Sequence, residues 1–134
     1  MKLLIDTNIL LDVALAREGR MEGSAALLDR LQDGIHDGHI AWHTLSNFYY
    51  ILAGDLGGKK ARHLIGELVG FLSVSPTTTE DTAKACALDF PDFEDALQAA
   101  AALRCGAEFI VTRNGKDFKK SPVPATTPEE ILNF

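Results

Sequence analysis

Short apolar runs alternate along this chain with stretches whose apolar positions recur every three or four residues. "KLLID" (2–6) is of the first kind, closes on a carboxylate, and predicts a short buried parallel strand. "TNILLDVALA" follows, with Ile9, Leu10, Val13 and Ala16 on one helical stripe and Thr7 or Asn8 as cap. "SAALLDRLQDGI" (24–35) predicts a second amphipathic helix, opened by Ser24 and stopped near Gly34. "HIAWH" (39–43) predicts a strand. "TLSNFYYILAG" predicts a helix with Leu45, Phe48, Ile51 and Leu52 on its inner face, broken by Gly57 and Gly58. "KKARHLIGELVGFL" is helical, "SVS" before Pro76 a short strand, and "TEDTAKACAL" a helix. "EDALQAAAALRCG" is the clearest helix of all and ends at Gly106. "EFIVT" (108–112) predicts a buried strand, "RNGKDF" a loop, "VPAT" a last short strand, and "TPEEIL" a helix with Pro128 in its first turn.

Strands that alternate with helices imply an α/β domain of three layers, a short central parallel sheet flanked by α-helices. The pattern holds no internal repeat, linker or low-complexity stretch, so residues 1–134 are expected to form a single domain, long enough to bury a core unaided. The apolar runs are too short to span a bilayer. Asp6 ends the first run too early for a secretory signal, so a cytoplasmic protein is expected. Cys86 and Cys105 have neither CxxC nor CxH spacing and are expected as reduced residues filling the core. A net charge of -6 argues against tight non-specific binding to a phosphate backbone, unless the basic residues cluster. Two groups do: Lys59, Lys60 and Arg62, and then Arg104, Arg113, Lys116, Lys119 and Lys120.

Parallel sheets place ligand sites outside the carboxyl ends of their strands. Asp6 ends the first strand, with Asn8 two residues on. Thr112 ends the fourth, with Arg113, Asn114 and Asp117 in the loop after it. The helix over 92–105 must run antiparallel to the strands, which brings Asp95 near its amino end to the same rim. Two unit charges ~4 Å apart repel by roughly 4 kcal/mol at an effective dielectric of ~20. Converging carboxylates therefore call either for a hard divalent cation, Mg²⁺ or Mn²⁺, or for a shared proton. Each residue also has a plainer reading. Asp6 could be a helix cap, Asn114 and Gly115 a turn pair, and Lys119 and Lys120 a solvated surface pair. Asp89 and Asp92 are expected to stay in solvent at a helix start, where the macrodipole favours them, while Glu94 is left open. The four histidines lack metal-ligand spacing, and Trp42, Tyr49 and Tyr50 are expected as core or interface aromatics.

"LLIDTNILLD", "TLSNFYYIL", "DFEDALQAAAA", "FIVTRNGKDF" and "SPVPATTPEEIL", in this order and spacing, resemble the PIN domain family over nearly the whole chain. This is the nuclease fold of VapC-type toxins in bacterial and archaeal toxin–antitoxin pairs. The resemblance implies a PIN-like fold and an Mg²⁺- or Mn²⁺-dependent endoribonuclease that hydrolyses RNA phosphodiester bonds. It also implies a cognate antitoxin partner and a homodimer. Carried over by position, Asp6, Asp95 and Asp117 would be the metal-holding carboxylates, and Asn8, Thr112 and Asn114 the polar residues that support them. Many members have a Ser-Glu pair in the third helix where this chain has Ser46-Asn47. A branch of the family shares the asparagine. Asn47 would offer a carbonyl oxygen without the charge, and Glu94 could partly compensate. Arg113 and Lys116 are the candidates to meet substrate phosphates.

Two other classes compete. Asn47 suits a PIN-like domain with a weakened pocket that acts as a non-enzymatic RNA- or protein-binding partner. A nucleotide-binding or phosphotransfer domain is disfavoured, since the chain has neither GxGxxG nor GxxxxGK[ST].

Overall fold

The computed structural model describes residues 1–134. In chain order the elements are β1 (Lys2–Ile5), α1 (Thr7–Ala14), α2 (Met21–Gln32), β2 (Asp37–Ile40), α3 (Trp42–Leu56), α4 (Gly58–Leu68), β3 (Ser73–Val74), α5 (Thr79–Ala87), α6 (Phe93–Cys105), β4 (Phe109–Val111), a 3-10 turn (Gly115–Phe118), β5 (Ala125–Thr126) and α7 (Pro128–Leu132). The five strands line up as β3-β2-β1-β4-β5, and every pairing is parallel. β1 is central, with Leu4 beside His39 on one flank and Ile110 on the other.

Strand residues alternate between faces, and that period divides the core. Leu3 and Ile5 join Ile40 and Val111 in a cluster with Ile9, Leu27, Phe48, Leu52 and Ile131, from the helices on one side. Leu4 and Ile110 face the other way, onto Ala99 and Ala102 of α6. α6 is buried twice over, because Ala96 and Ala100 pack against Ala85 of α5. Its alanines are what let a helix fit between a sheet and a second helix. Gly106 in the left-handed conformation (φ 72°) stops it before β4, as expected from its position.

Several local expectations shift. α2 begins at Met21, so Ser24 lies inside the helix and is fully buried. The inner face of α3 is Thr44, Phe48 and Leu52, spaced by four. That leaves Ile51 46% exposed, about 100° behind Leu52 on the helix. Of the aromatics expected in the core or at an interface, Trp42 and Tyr50 are exposed. Both cysteines are unpaired, but Cys86 is exposed and only Cys105 is half-buried. No helix is long and apolar enough to cross a membrane.

Candidate functional site

Asp6 follows β1, His43 lies just after β2, and Thr112 follows β4, so all three stand at the carboxyl edge of the sheet. α6 returns antiparallel and brings Glu94 and Asp95, in its first turn, to that edge.

Asp6 is 6% exposed, occupies the N-cap position of α1, and makes no side-chain cap bond there. Its carboxylate is used elsewhere. Oδ2 accepts from the Thr112 hydroxyl at 2.9 Å and Oδ1 from Gln98 Nε2 at 3.4 Å. The Thr112 hydroxyl in turn accepts from the backbone N–H of Asn114 at 3.1 Å, which ties the loop after β4 to Asp6. Gln98 Nε2 is a hub, since it also lies 3.2 Å from Thr44 Oγ1 and 3.2 Å from Glu94 Oε1. The Thr7 hydroxyl completes the floor, 3.3 Å from that of Thr44. On the outer side His43 Nε2 meets Glu94 Oε1 at 2.9 Å.

The charges here are poorly balanced. Burial, reinforced by the negative charge of Glu94, pushes the Asp6 carboxyl up to about 6 despite the Thr112 hydrogen bond. Asp95 is pushed up to about 7, by burial first and then by the charges of Glu94, Asp92 and Asp117. Burial would raise Glu94 as well, but the hydrogen bond and charge of His43, together with hydrogen bonds from Gln98 and Asp95, hold Glu94 below the usual range. The acids thus form a chain of influence from Asp6 through Glu94 and Asp95 to Asp117. It is looser than the shared triad expected of Asp6, Asp95 and Asp117: no three acid, imidazole or thiol side chains stand close enough together to form a ready-made cage. What is present still fits a hard divalent cation that keeps several of its waters. The donors are oxygens, and the buried Gln98 Oε1, in the amide that bridges Asp6 and Glu94, has no hydrogen-bond partner.

The other candidates divide. Asn47 is half-buried on α3, one turn beyond His43 and Thr44 and on their face. Asn114 is exposed at the start of the 3-10 turn, and Asp117 and Lys116 are exposed within it. Phe118, 3% exposed, anchors that turn against Phe90. Asn8 is engaged by Arg17, whose Nη1 donates to its Oδ1 at 3.2 Å. Arg113, a candidate to meet phosphate, is engaged within the protein. Its Nε donates to Asp12 at 2.9 Å, Nη1 to Glu129 at 2.8 Å, and Nη2 to the Arg20 carbonyl at 2.9 Å and to Ser24 Oγ at 3.2 Å. Burial opposes its charge, but Glu129 and Asp12 raise its pKa nonetheless. A guanidinium with every nitrogen engaged is part of the scaffold. Asp89 pairs with Lys120 in solvent, and Asp92 caps α6 by accepting from the Glu94 N–H at 2.8 Å.

Sequence reasoning missed His43, Thr44 and Gln98. Gln98 had left a trace: it is the one polar residue in the run "ALQAAAA", four positions after Glu94 and so on the same helical face. His43 satisfies the strand-end rule that picked out Asp6.

Residues 2–116 match a family model described as the PIN domain. No curated protein matches the chain. Among solved structures, the chain is similar to VapBC2 from Rickettsia felis, bound to a DNA fragment from its promoter, with a TM-score of 0.74 at 18% identity, covering 95% of this chain and 98% of that one. It is similar to VapBC-1 from nontypeable Haemophilus influenzae, with a TM-score of 0.72 at 14% identity and coverage of 96% and 99%. It is also similar to VapC20 from Mycobacterium tuberculosis, a Sarcin-Ricin loop cleaving toxin, with a TM-score of 0.70 at 16% identity and coverage of 90% and 95%.

Proposed function

The chain belongs to the PIN domain family, and we propose that it is a divalent-metal-dependent endoribonuclease, the toxin of a toxin–antitoxin pair. The observation that carries this is Asp6: a buried carboxylate, held by neutral donors and crowded by Glu94, is an arrangement that cation binding would relieve. Asp6, Asp95 and Asp117 would hold Mg²⁺ or Mn²⁺, with Glu94 in the place left by Asn47. A cation bound there supplies Lewis-acid stabilisation of the charge that develops on the scissile phosphate. The protein's own groups do the rest. Thr112 and Gln98 fix the Asp6 carboxylate, and His43 fixes Glu94. Asn47 and Asn114 would orient waters, and Lys116 would meet a phosphate oxygen of the RNA. Purified protein with structured and single-stranded RNA tests the reading. Mn²⁺-dependent cleavage is expected for the wild type and its loss for Asp95→Asn; equal cleavage by both removes the assigned role.

For the proposed cognate antitoxin, one surface is a candidate. An apolar groove of about 450 Å³ runs between α1, α2 and α4, lined by Leu10, Val13, Leu28, Phe48, Leu68 and Phe71. An amphipathic helix fits such a groove, and Asp29 and Glu67 along it favour a basic rim on the partner. Homodimerisation is expected from the family and is read by light scattering. A second reading, a PIN-like domain that binds without cutting, draws on the uncharged Asn47 and the loose spacing of the acids. Calorimetry separates the two: binding heat from millimolar Mn²⁺ favours the nuclease, and its absence favours the binding module.

A further inference from the structure

Trp42, the only tryptophan in the chain, is 64% exposed although it opens α3 directly after β2. It stands in a cleft of about 330 Å³ with Val74, Ser75, Pro76 and Thr77. Pro76 and Thr77 also line a narrow crevice with His43, and His43 holds Glu94. Through these shared residues the cleft neighbours His43, the hydrogen-bond partner of Glu94. On the opposite side of Asp6, Asp117 lines a cavity of about 250 Å³ with Lys116, Lys119 and Lys120. Lys120 is taken by Asp89, while the ion pairs of the molecule leave Lys116 and Lys119 free.

The strand order puts these features in a row. The Trp42 cleft lies over the ends of β2 and β3, Asp6 over β1, and the lysines beyond β4. Neighbouring strands are about 4.8 Å apart, so the row from the cleft over β2 and β3 to the lysines beyond β4 exceeds the roughly 10 Å between β2 and β4, a length that several nucleotides of an extended single strand would cover. An exposed indole offers a flat face to any base whose own face is free, and a duplex offers none. Uncommitted lysines beside the acidic site complement a phosphate backbone there, whereas the other basic group, Lys59, Lys60 and Arg62, lies on α4.

We propose that this rim holds an unpaired segment of RNA, one base stacked on Trp42 and the adjoining phosphates on Lys116 and Lys119, with the acidic site between them. The proposal rests on the ribonuclease reading for what then happens to the strand, though not for its binding.

Because Trp42 is the sole tryptophan, its emission reports contact directly. Titration of the full chain with a single-stranded oligoribonucleotide, in EDTA and again in Ca²⁺, is expected to quench that emission. The same sequence in a perfect duplex is expected to leave it unchanged. Trp42→Ala should weaken binding of labelled single strand about tenfold or more, and Trp42→Phe should recover part of the loss. Replacing Lys116 and Lys119 together by Ala should reduce the salt slope of log Kd by about one to two. Binding without quenching, no binding in either buffer, equal quenching by duplex, or wild-type affinity in Trp42→Ala would each overturn the proposal. So would light scattering in which Trp42→Ala splits a dimer while RNA affinity stays intact, because the indole would then face a second copy. Quenching and tight binding without Mn²⁺-dependent cleavage would keep this inference and remove the ribonuclease reading; cleavage that ignores every Trp42 variant would do the reverse.

Discussion

Asp6 and Asp12 are both buried aspartates at the start of the chain, 6% and 0% exposed, one just before α1 and one within it. Their surroundings differ in charge. Asp12 meets Arg113 Nε at 2.9 Å, Ser24 Oγ at 3.0 Å and Arg17 Nη1 at 3.4 Å, so its negative charge is matched inside the protein. Asp6 meets a hydroxyl and an amide, and the strongest charge acting on it is that of another acid, Glu94. Burial alone therefore says little about function. Burial without compensation is the informative state, because it is the one a ligand would relieve.

The sharpest way to break the contrast is Asp12→Ala. It leaves Arg113, 17% exposed, without its buried partner, and a loss of roughly 3–5 kcal/mol is expected from urea denaturation. A loss no larger than that of a surface substitution would make Asp12 the wrong reference.

Asp6→Asn should act in the opposite direction in metal-free protein. The folded carboxyl titrates at about 6 against an ordinary 3.8, so the native state binds more protons than the unfolded chain between those values. Stability then falls as pH rises through that window and stays lower above it. Asparagine has no charge to bury. The variant should be more stable than wild type at pH 7 by up to about 3 kcal/mol, with the advantage gone below about pH 4. Chemical denaturation across that range checks both size and sign, and an advantage that grows on acidification would refute the assignment. Mn²⁺ should raise the Tm of the wild type and not of this variant.

A smaller effect is expected of Glu94→Gln: Mn²⁺ affinity, measured by calorimetry, about tenfold weaker than wild type. An unchanged affinity would mean that Glu94 serves His43 and Gln98 alone. The smallest effect is at the exposed pair: Asp89→Ala, which removes the Lys120 contact in solvent, should leave the denaturation midpoint where it was.

Much of the fold was legible because its causes are local. The apolar run before Asp6, the alanines of α6 stopped by Gly106, and Pro128 at the start of α7 each carry their own geometry. The strand-end rule also placed Asp6, Asp95 and Thr112 on one rim. At the same edge, Arg113 and Asn8 are committed to partners that the rule could not foresee. Arg113 is taken by Asp12, Ser24, Arg20 and Glu129 from distant stretches of chain. Asn8 is taken by Arg17. Gln98 was visible as a polar intruder in an apolar run, yet nothing local said that its amide would bridge Asp6 and Glu94.

Sequence by itself determined the layered α/β architecture and the edge at which polar groups gather, since periodicity, caps and strand ends act over a few residues. Only the tertiary structure decided which buried acid receives a cation from within the protein and which is left for something else to neutralise. Charge pairing is settled by residues far apart in the chain, and packing alone brings them within a few ångströms.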